Sequence, residues 1–338
     1  MNRPMTSTTR KYNSIDLCKL IMAVCVVAIH TDPLNKCTNS FVLSIYNCML
    51  RMAVPFFFLS SGFLLANKLS YPFSDDFSIT KIKNYLQKIV KLYLIWNIVY
   101  LPLALYDYIT ANIGIKSAVF LYVRGLLFVG EHYNSWILWY LLSTIYALIL
   151  ILFLLKIVHL KPEMIVVIGA VIYLLSTGIS FWAAYDKDLP FVLSIMKKVL
   201  KYTIINGRIL TGSFYIPVGM LLARKKMNTQ RALLMFIVGF VANIISNNYF
   251  IVSITLVVCS VGFFSIIKNI ELPDSLVYVW ARKMSTVIYF IHLYIWTFYY
   301  FVIYGEKTYG MDCFCATVIL CITSAVIYMY AQANITKK

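Results

Sequence analysis

An all-α, polytopic integral membrane protein with about ten transmembrane helices around a polar central cavity is the fold this sequence predicts. Three observations predict it. Hydrophobic residues make up 61% of the 338 and charged residues only 13%, a balance that cannot cover a soluble surface. The apolar residues gather into stretches of the ~20 residues that cross ~30 Å of hydrocarbon as helix. Lysine and arginine, which set a formal net charge of +17, fall mostly in alternate connections, as topology in a membrane requires.

In chain order the stretches lie at 17–34, 43–66, 86–108, 135–156, 163–185, 205–223, 230–247, 250–267, 283–304 and 313–333. The first opens with Asp16 and Lys19 and carries His30 near its far end. It is long and has no small-residue cleavage site behind it, so it is expected to stay as a signal anchor. The second carries Arg51 and Pro55. Residues 114–130 read as a re-entrant or interfacial piece, and 186–204 as an amphipathic one. With the N-terminus inside, 20 basic residues fall in inner segments and 9 outside, with Arg51 within a span. Both termini are therefore expected in the cytoplasm, in a multi-pass protein of the cell membrane. The dissenting loop is 186–208, with Lys187, Lys197, Lys198, Lys201 and Arg208. The positive charge reads as anchoring to anionic lipid of the bilayer and not as a nucleic-acid patch, because no basic stretch is interleaved with aromatics in a soluble domain.

Residues 1–338 read as one membrane domain, with 1–14 and 334–338 as cytoplasmic tails, since the hydrophilic stretches are too short to bury a core. Eight cysteines form no CxxC pair and no histidine stands at metal-ligand spacing, so no metal is expected and most cysteines read as small apolar core residues. Cys37, Cys313 and Cys315 are expected at the outer face, where a disulfide is chemically open but unassigned.

The chemistry is expected where charge enters the apolar segments, because ionisable groups inside hydrocarbon are costly and usually functional. Lys19 and His30 are eleven residues apart, which returns to one helix face about 16 Å further along the axis. Acyl-coenzyme A has the matching shape, with phosphates near Lys19 and a thin arm presenting its thioester toward His30. The alternative for His30 is a neutral imidazole bridging helices. His292 is open between a second polar wall and a structural bridge. Arg51 is open between a site role and snorkelling. Asp16 and Lys19 also suit a helix-end ion pair, and Trp136, Trp139 and Tyr140 suit an interfacial belt.

The segments from Ser14 through Lys19 to His30, Arg51-Met52-Ala53-Val54-Pro55-Phe56-Phe57-Phe58-Leu59-Ser60-Ser61-Gly62-Phe63, Leu138-Trp139-Tyr140-Leu141, Ile216-Pro217-Val218-Gly219-Met220-Leu221-Leu222 and Ser285 to His292 resemble the ordered landmarks of the acyltransferase 3 membrane family. The resemblance runs from one end of the chain to the other. It implies transfer of an acyl group, usually acetyl from cytoplasmic acetyl-CoA, to a hydroxyl of a cell-surface or lipid-linked saccharide. By that reading His30 is the general base or a covalent acyl carrier, and Arg51 or His292 stabilises the oxyanion. Lys19, Lys88 and Lys91 would hold the donor phosphates. The family commonly has arginines at those three places, and lysine keeps the charge without the bidentate fork. Ile137 replaces a histidine that often precedes Leu-Trp-Tyr-Leu, with His132 five residues earlier. The chain also resembles the membrane part of the serine racemases of vancomycin resistance, with no racemase domain expected after residue 338. A transporter, or a membrane module that binds or senses amino acids, therefore stays as the alternative.

Overall fold

The computed structural model describes residues 12–184, 190–203, 207–303, 305 and 309–335. Arg3, Arg10, Lys11, Lys187, Lys307, Lys337 and Lys338, used above for orientation, lie outside them, as does the side chain of Lys201. Among the described residues all regular structure is helical: α1 Asn13–Thr31, α2 Ser40–Arg51, α3 Ala53–Ala66, α4 Asp76–Thr110, α5 Ile115–Arg124, α6 Trp139–Lys156, α7 Pro162–Ala184, α8 Phe191–Thr203, α9 Gly212–Leu222, α10 Thr229–Ile245, α11 Tyr249–Asn269, α12 Leu276–Ile303 and α13 Met311–Ile335. Short 3-10 turns precede α6 and α9, and one π turn, Gly125–Val129, follows α5.

Seven helical stretches among the described residues are long and apolar enough to cross a bilayer: Asn13–Thr31, Ser40–Ala66, Asp76–Thr110, Ser135–Lys156, Pro162–Trp182, Tyr249–Asn269 and Met311–Asn334. Arg208–Leu222 and Thr229–Ile245 are apolar but shorter. The remaining expected stretch is α12, 28 residues long. The chain runs back and forth, so each connection falls at one of two ends. We call the end where α1 begins proximal and the end where α1 stops distal. Ten-residue α5 and thirteen-residue α8 are too short to cross, and both lie in distal connections.

Close crossings hold the bundle. Gly62 on α3 and Gly219 on α9 face each other's backbone: a Cβ on Gly62 would stand 2.0 Å from the Ile216 carbonyl oxygen, and one on Gly219 2.2 Å from that of Leu59. Small residues let helices approach this closely in lipid, where there is no hydrophobic force between them. α12 is fixed to α4 by aromatic contacts: Trp96 stacks on Phe290 with centroids 4.5 Å apart, and Tyr100 donates to the Phe290 carbonyl at 2.8 Å. α1 lies along α12, with an Asp16–Arg282 ion pair at 3.6 Å near the proximal end. Two proximal cations close helix C-termini. Arg224 donates to the carbonyls of Ala66 and Leu69, and buried Lys268 donates to Leu222 at 2.7 Å, satisfying groups that a helix leaves open.

Candidate active site

α1 ends at Thr31 in a left-handed cap at Asp32, whose N–H bonds the Ala28 carbonyl at 3.0 Å. His30 therefore sits in the last distal turn of α1. α12 runs in the same direction, and its His292 comes level with His30. The two imidazole rings stack with centroids 5.3 Å apart and 22° between planes. Trp136, in the turn leading into α6, stacks on His30 from another side at 5.7 Å and 19°. Trp296, one turn beyond His292, backs Trp136 at 6.2 Å.

The two histidines differ in their surroundings. His30 is half-buried and His292 only 1% exposed. Nδ1 of His292 stands 3.0 Å from the Ile288 carbonyl oxygen. A carbonyl only accepts, so Nδ1 carries the proton and the neutral ring has its lone pair on Nε2. That Nε2 is buried with no hydrogen-bond partner among the described residues. A buried basic nitrogen left open beside a second imidazole suits proton acceptance. It has no proton to give to an oxyanion while the ring is neutral.

Arg208 supplies positive charge on the same side. It lies at the start of the 3-10 turn before α9, forms an ion pair with Glu131, and sets its guanidinium 5.0 Å from the centroid of the Trp139 ring. Its charge acts on His30. The backbone places it through Gly207, which adopts φ 71° and whose added Cβ would meet the Ser176 carbonyl oxygen at 2.7 Å. Ser176 Oγ in turn donates to the Gly207 carbonyl at 2.6 Å. A side chain other than glycine strains this turn twice, by φ and by contact.

Below the histidines, toward the proximal end, a strip of polar aromatic groups follows the face between α1, α3, α6 and α12. Tyr289, one turn from His292, donates to the Ile137 carbonyl at 2.6 Å and faces the Tyr140 ring at 5.8 Å. Phe57 lies edge-on or tilted against both. The Tyr140 hydroxyl is 3.0 Å from Ser61 Oγ, and Tyr85 of α4 reaches the same serine. At the proximal end Lys19 is half-buried within the electrostatic reach of Asp16, Arg282 and Lys68.

Of the residues expected from sequence, the structure thus brings His30 and His292 together and puts Lys19 at the opposite end of the same helix. Lys88 and Lys91 are exposed on α4. Leu92 and Trp96, one and two turns on from Lys88, line a cavity of about 660 Å³ with Arg282 and Lys283, on the face of α12 turned away from His292. Arg51 is not brought to the histidines. It is exposed and lines a separate cavity between α2, α10 and α11. His132 is buried against Tyr122, with ring centroids 4.3 Å apart, in the distal connection before Trp136. The eight cysteines are free thiols, Cys313 buried and Cys315 exposed. Among the described residues no group of three or more His, Cys, Asp or Glu side chains is arranged to hold a metal ion.

Sequence reasoning missed Arg208 and the Ser61–Tyr85–Tyr140–Tyr289 strip as neighbours of the histidines. Arg208 had a signal, since it belongs to the one loop that broke the charge rule. Tyr140 and Tyr289 sit inside two of the quoted motifs but were lost among 26 tyrosines.

Residues 12–330 match the Acyltransferase domain family Acyl_transf_3. Among curated proteins the chain is 30% identical over 206 residues to an "Amino-acid racemase" of Enterococcus faecalis, covering 61% of this chain and 28% of that one. It is 29% identical over 252 residues to a "Serine/alanine racemase" of Enterococcus gallinarum, covering 71% of this chain and 33% of the relative. The chain thus spans a third or less of the length of these relatives. No solved structure matches. With a family match over nearly its whole length, laid over an all-helical membrane bundle, this chain belongs to the acyltransferase 3 family of membrane acyltransferases.

Proposed function

We propose that the protein is an O-acyltransferase of the cell membrane, with both termini cytoplasmic, that moves an acyl group from cytoplasmic acyl-CoA, acetyl-CoA in the first instance, to a hydroxyl of a cell-surface or lipid-linked saccharide. The observation that carries this reading is the stacked His30–His292 pair, with one buried nitrogen left open, at the distal end of a polar strip whose proximal end is cationic. In this reading a thioester arm lies along that strip, with its phosphates at Lys19 and Lys68 and on the exposed Lys88 and Lys91. Neutral His30 takes the proton of the acceptor hydroxyl as the oxygen attacks the thioester carbonyl. The carbonyl oxygen gains charge facing Arg208, the carbon–sulfur bond breaks, and the thiolate leaves proximally, to be protonated there. His292 fixes the His30 ring and, through its in-plane Nε2, relays the His30 proton by way of water to the distal mouth before the next turnover. Arg208 replaces Arg51 in this scheme, because a stabilising donor has to face the reacting carbon.

The test is acyl transfer by purified protein in proteoliposomes, with labelled acetyl-CoA and an acceptor glycan extracted from the host envelope. His30→Ala is expected to leave a folded protein that transfers at least about 100-fold more slowly. Turnover equal to the parent overturns the general-base role. Labelled protein trapped by acid quench without acceptor would identify a covalent acyl-His30 instead. One observation favours a second reading, a membrane module that binds or carries an amino acid: the curated relatives are named for amino-acid racemisation. Uptake of labelled serine or alanine by the same vesicles, with no acetyl transfer, decides for it.

A further inference from the structure

Arg51 stands at residue 12 of the 27-residue stretch Ser40–Ala66, about 16 Å along the axis from its distal start. Among the described residues no ion-pair or hydrogen-bond partner holds it. It lines a cavity of about 500 Å³ with Ser44, Asn47, Asn243, Asn247 and Tyr249 among its walls. The cavity lies at the distal end of 17-residue α10, beside the turn that joins it to α11. Asn243 is 5% exposed and donates from Nδ2 to the Val252 carbonyl and Thr255 Oγ1 at 2.8 and 3.1 Å, which leaves its Oδ1 as an acceptor. The first turn of α11 adds the positive end of a helix dipole.

We infer that this cavity binds an oxyanion that carries hydroxyl groups, with the anion on the Arg51 guanidinium and the hydroxyls on the asparagine and serine side chains. The site is separate from the histidine pair and independent of the reaction proposed there. A guanidinium fork suits phosphate or carboxylate. A membrane keeps an arginine at mid-span only where something satisfies it, and among the described residues no side chain does. The same chemistry comes from two sources, a glycerophosphate lipid headgroup or a soluble hydroxylated phosphate.

The test uses the full chain. Glycerol 3-phosphate is titrated by calorimetry into protein in uncharged detergent, and phosphatidylglycerol retained from mixed phosphatidylcholine nanodiscs is counted by native mass spectrometry. Two variants are compared with the parent. Arg51→Gln removes the cation; Asn47→Asp, one turn before it on α2, gives Arg51 an internal partner and occupies it. Binding of at least one probe to the parent, weakened tenfold or more in both variants and restored in part by Arg51→Lys, is the expected result. Retained lipid without glycerol 3-phosphate binding identifies a headgroup site, and the converse a soluble ligand. No binding of either probe to the parent overturns the inference, as does binding that Asn47→Asp leaves within twofold. If Arg51→Gln does not fold, the Asn47→Asp arm still decides.

Discussion

His292 shows how one backbone contact sets the chemistry of a side chain. Its Nδ1–H is committed to Ile288, so only Nε2 is available to exchange a proton. His292→Phe keeps the ring against His30 and Trp136 but removes that nitrogen. It is expected to lower kcat by about 10- to 100-fold with little change in KM, a milder loss than His30→Ala; a change confined to KM argues for a purely structural ring. His132, outside the spans, makes a pH prediction. Burial first, and the Arg124 charge second, push its pKa down to about 4, while an unfolded chain has a histidine pKa of ~6.5. Between those values the unfolded state holds a proton that the folded state lacks, so stability falls as pH drops from about 6.5 to 4 and is level above. The effect is worth at most ~3 kcal/mol. His132→Phe should flatten the acid side of a plot of unfolding midpoint against pH; an unchanged slope shows that other groups set it.

At the scale of elements, the crossing of α3 and α9 is tight enough to test with one methyl group. Gly62→Ala and Gly219→Ala push a Cβ into opposing backbone, which flexible side chains cannot relieve, so each should cost ~1–3 kcal/mol or more. Lowered unfolding midpoints in neutral detergent check this, and a midpoint within 1 °C of the parent shows that the helices slide apart freely. Lys268→Met tests a C-terminal cap: it keeps the aliphatic stem but leaves the Leu222 carbonyl open, at ~1.5–3 kcal/mol for a lost charged hydrogen bond. Gly62 and Gly219 sit inside the quoted motifs, but their place at a helix crossing became visible only in the structure. Lys268 and Arg224 were not legible as caps either. A sequence displays their charge, which the inside rule absorbs as lipid anchoring, but not which helix end lies within reach. For the same reason His30 and Lys19, spaced on one helix, were placed correctly relative to each other, whereas the partners of Arg51 and Arg208 come from helices far away in the chain. A residue's position within its own helix is legible; the face that helix turns to its neighbours is a tertiary fact.

Across the whole molecule, the cations of the proximal end and the histidines of the distal end sit at opposite mouths of one polar strip. If acyl-CoA is the donor, as proposed, it is too large and charged to pass between packed helices, so its phosphates would stay proximal and only the thioester arm would reach inward. The acceptor then has to approach from the distal side, where His30 is half-buried beside the turn at 32–39. We predict that the two substrates enter from opposite faces. Single cysteines at exposed Lys36 and exposed Lys88, in a background with Cys37 and Cys315 replaced by serine, give an impermeant maleimide one target at each end. In oriented proteoliposomes, labelling Lys36→Cys should raise the KM for acceptor several-fold and leave binding of acyl-CoA unchanged. Labelling Lys88→Cys should weaken acyl-CoA binding and leave the acceptor KM alone. If label at position 36 is silent while label at position 88 blocks both substrates, transfer happens on the proximal side, and the polar strip is a packing feature that neither substrate crosses.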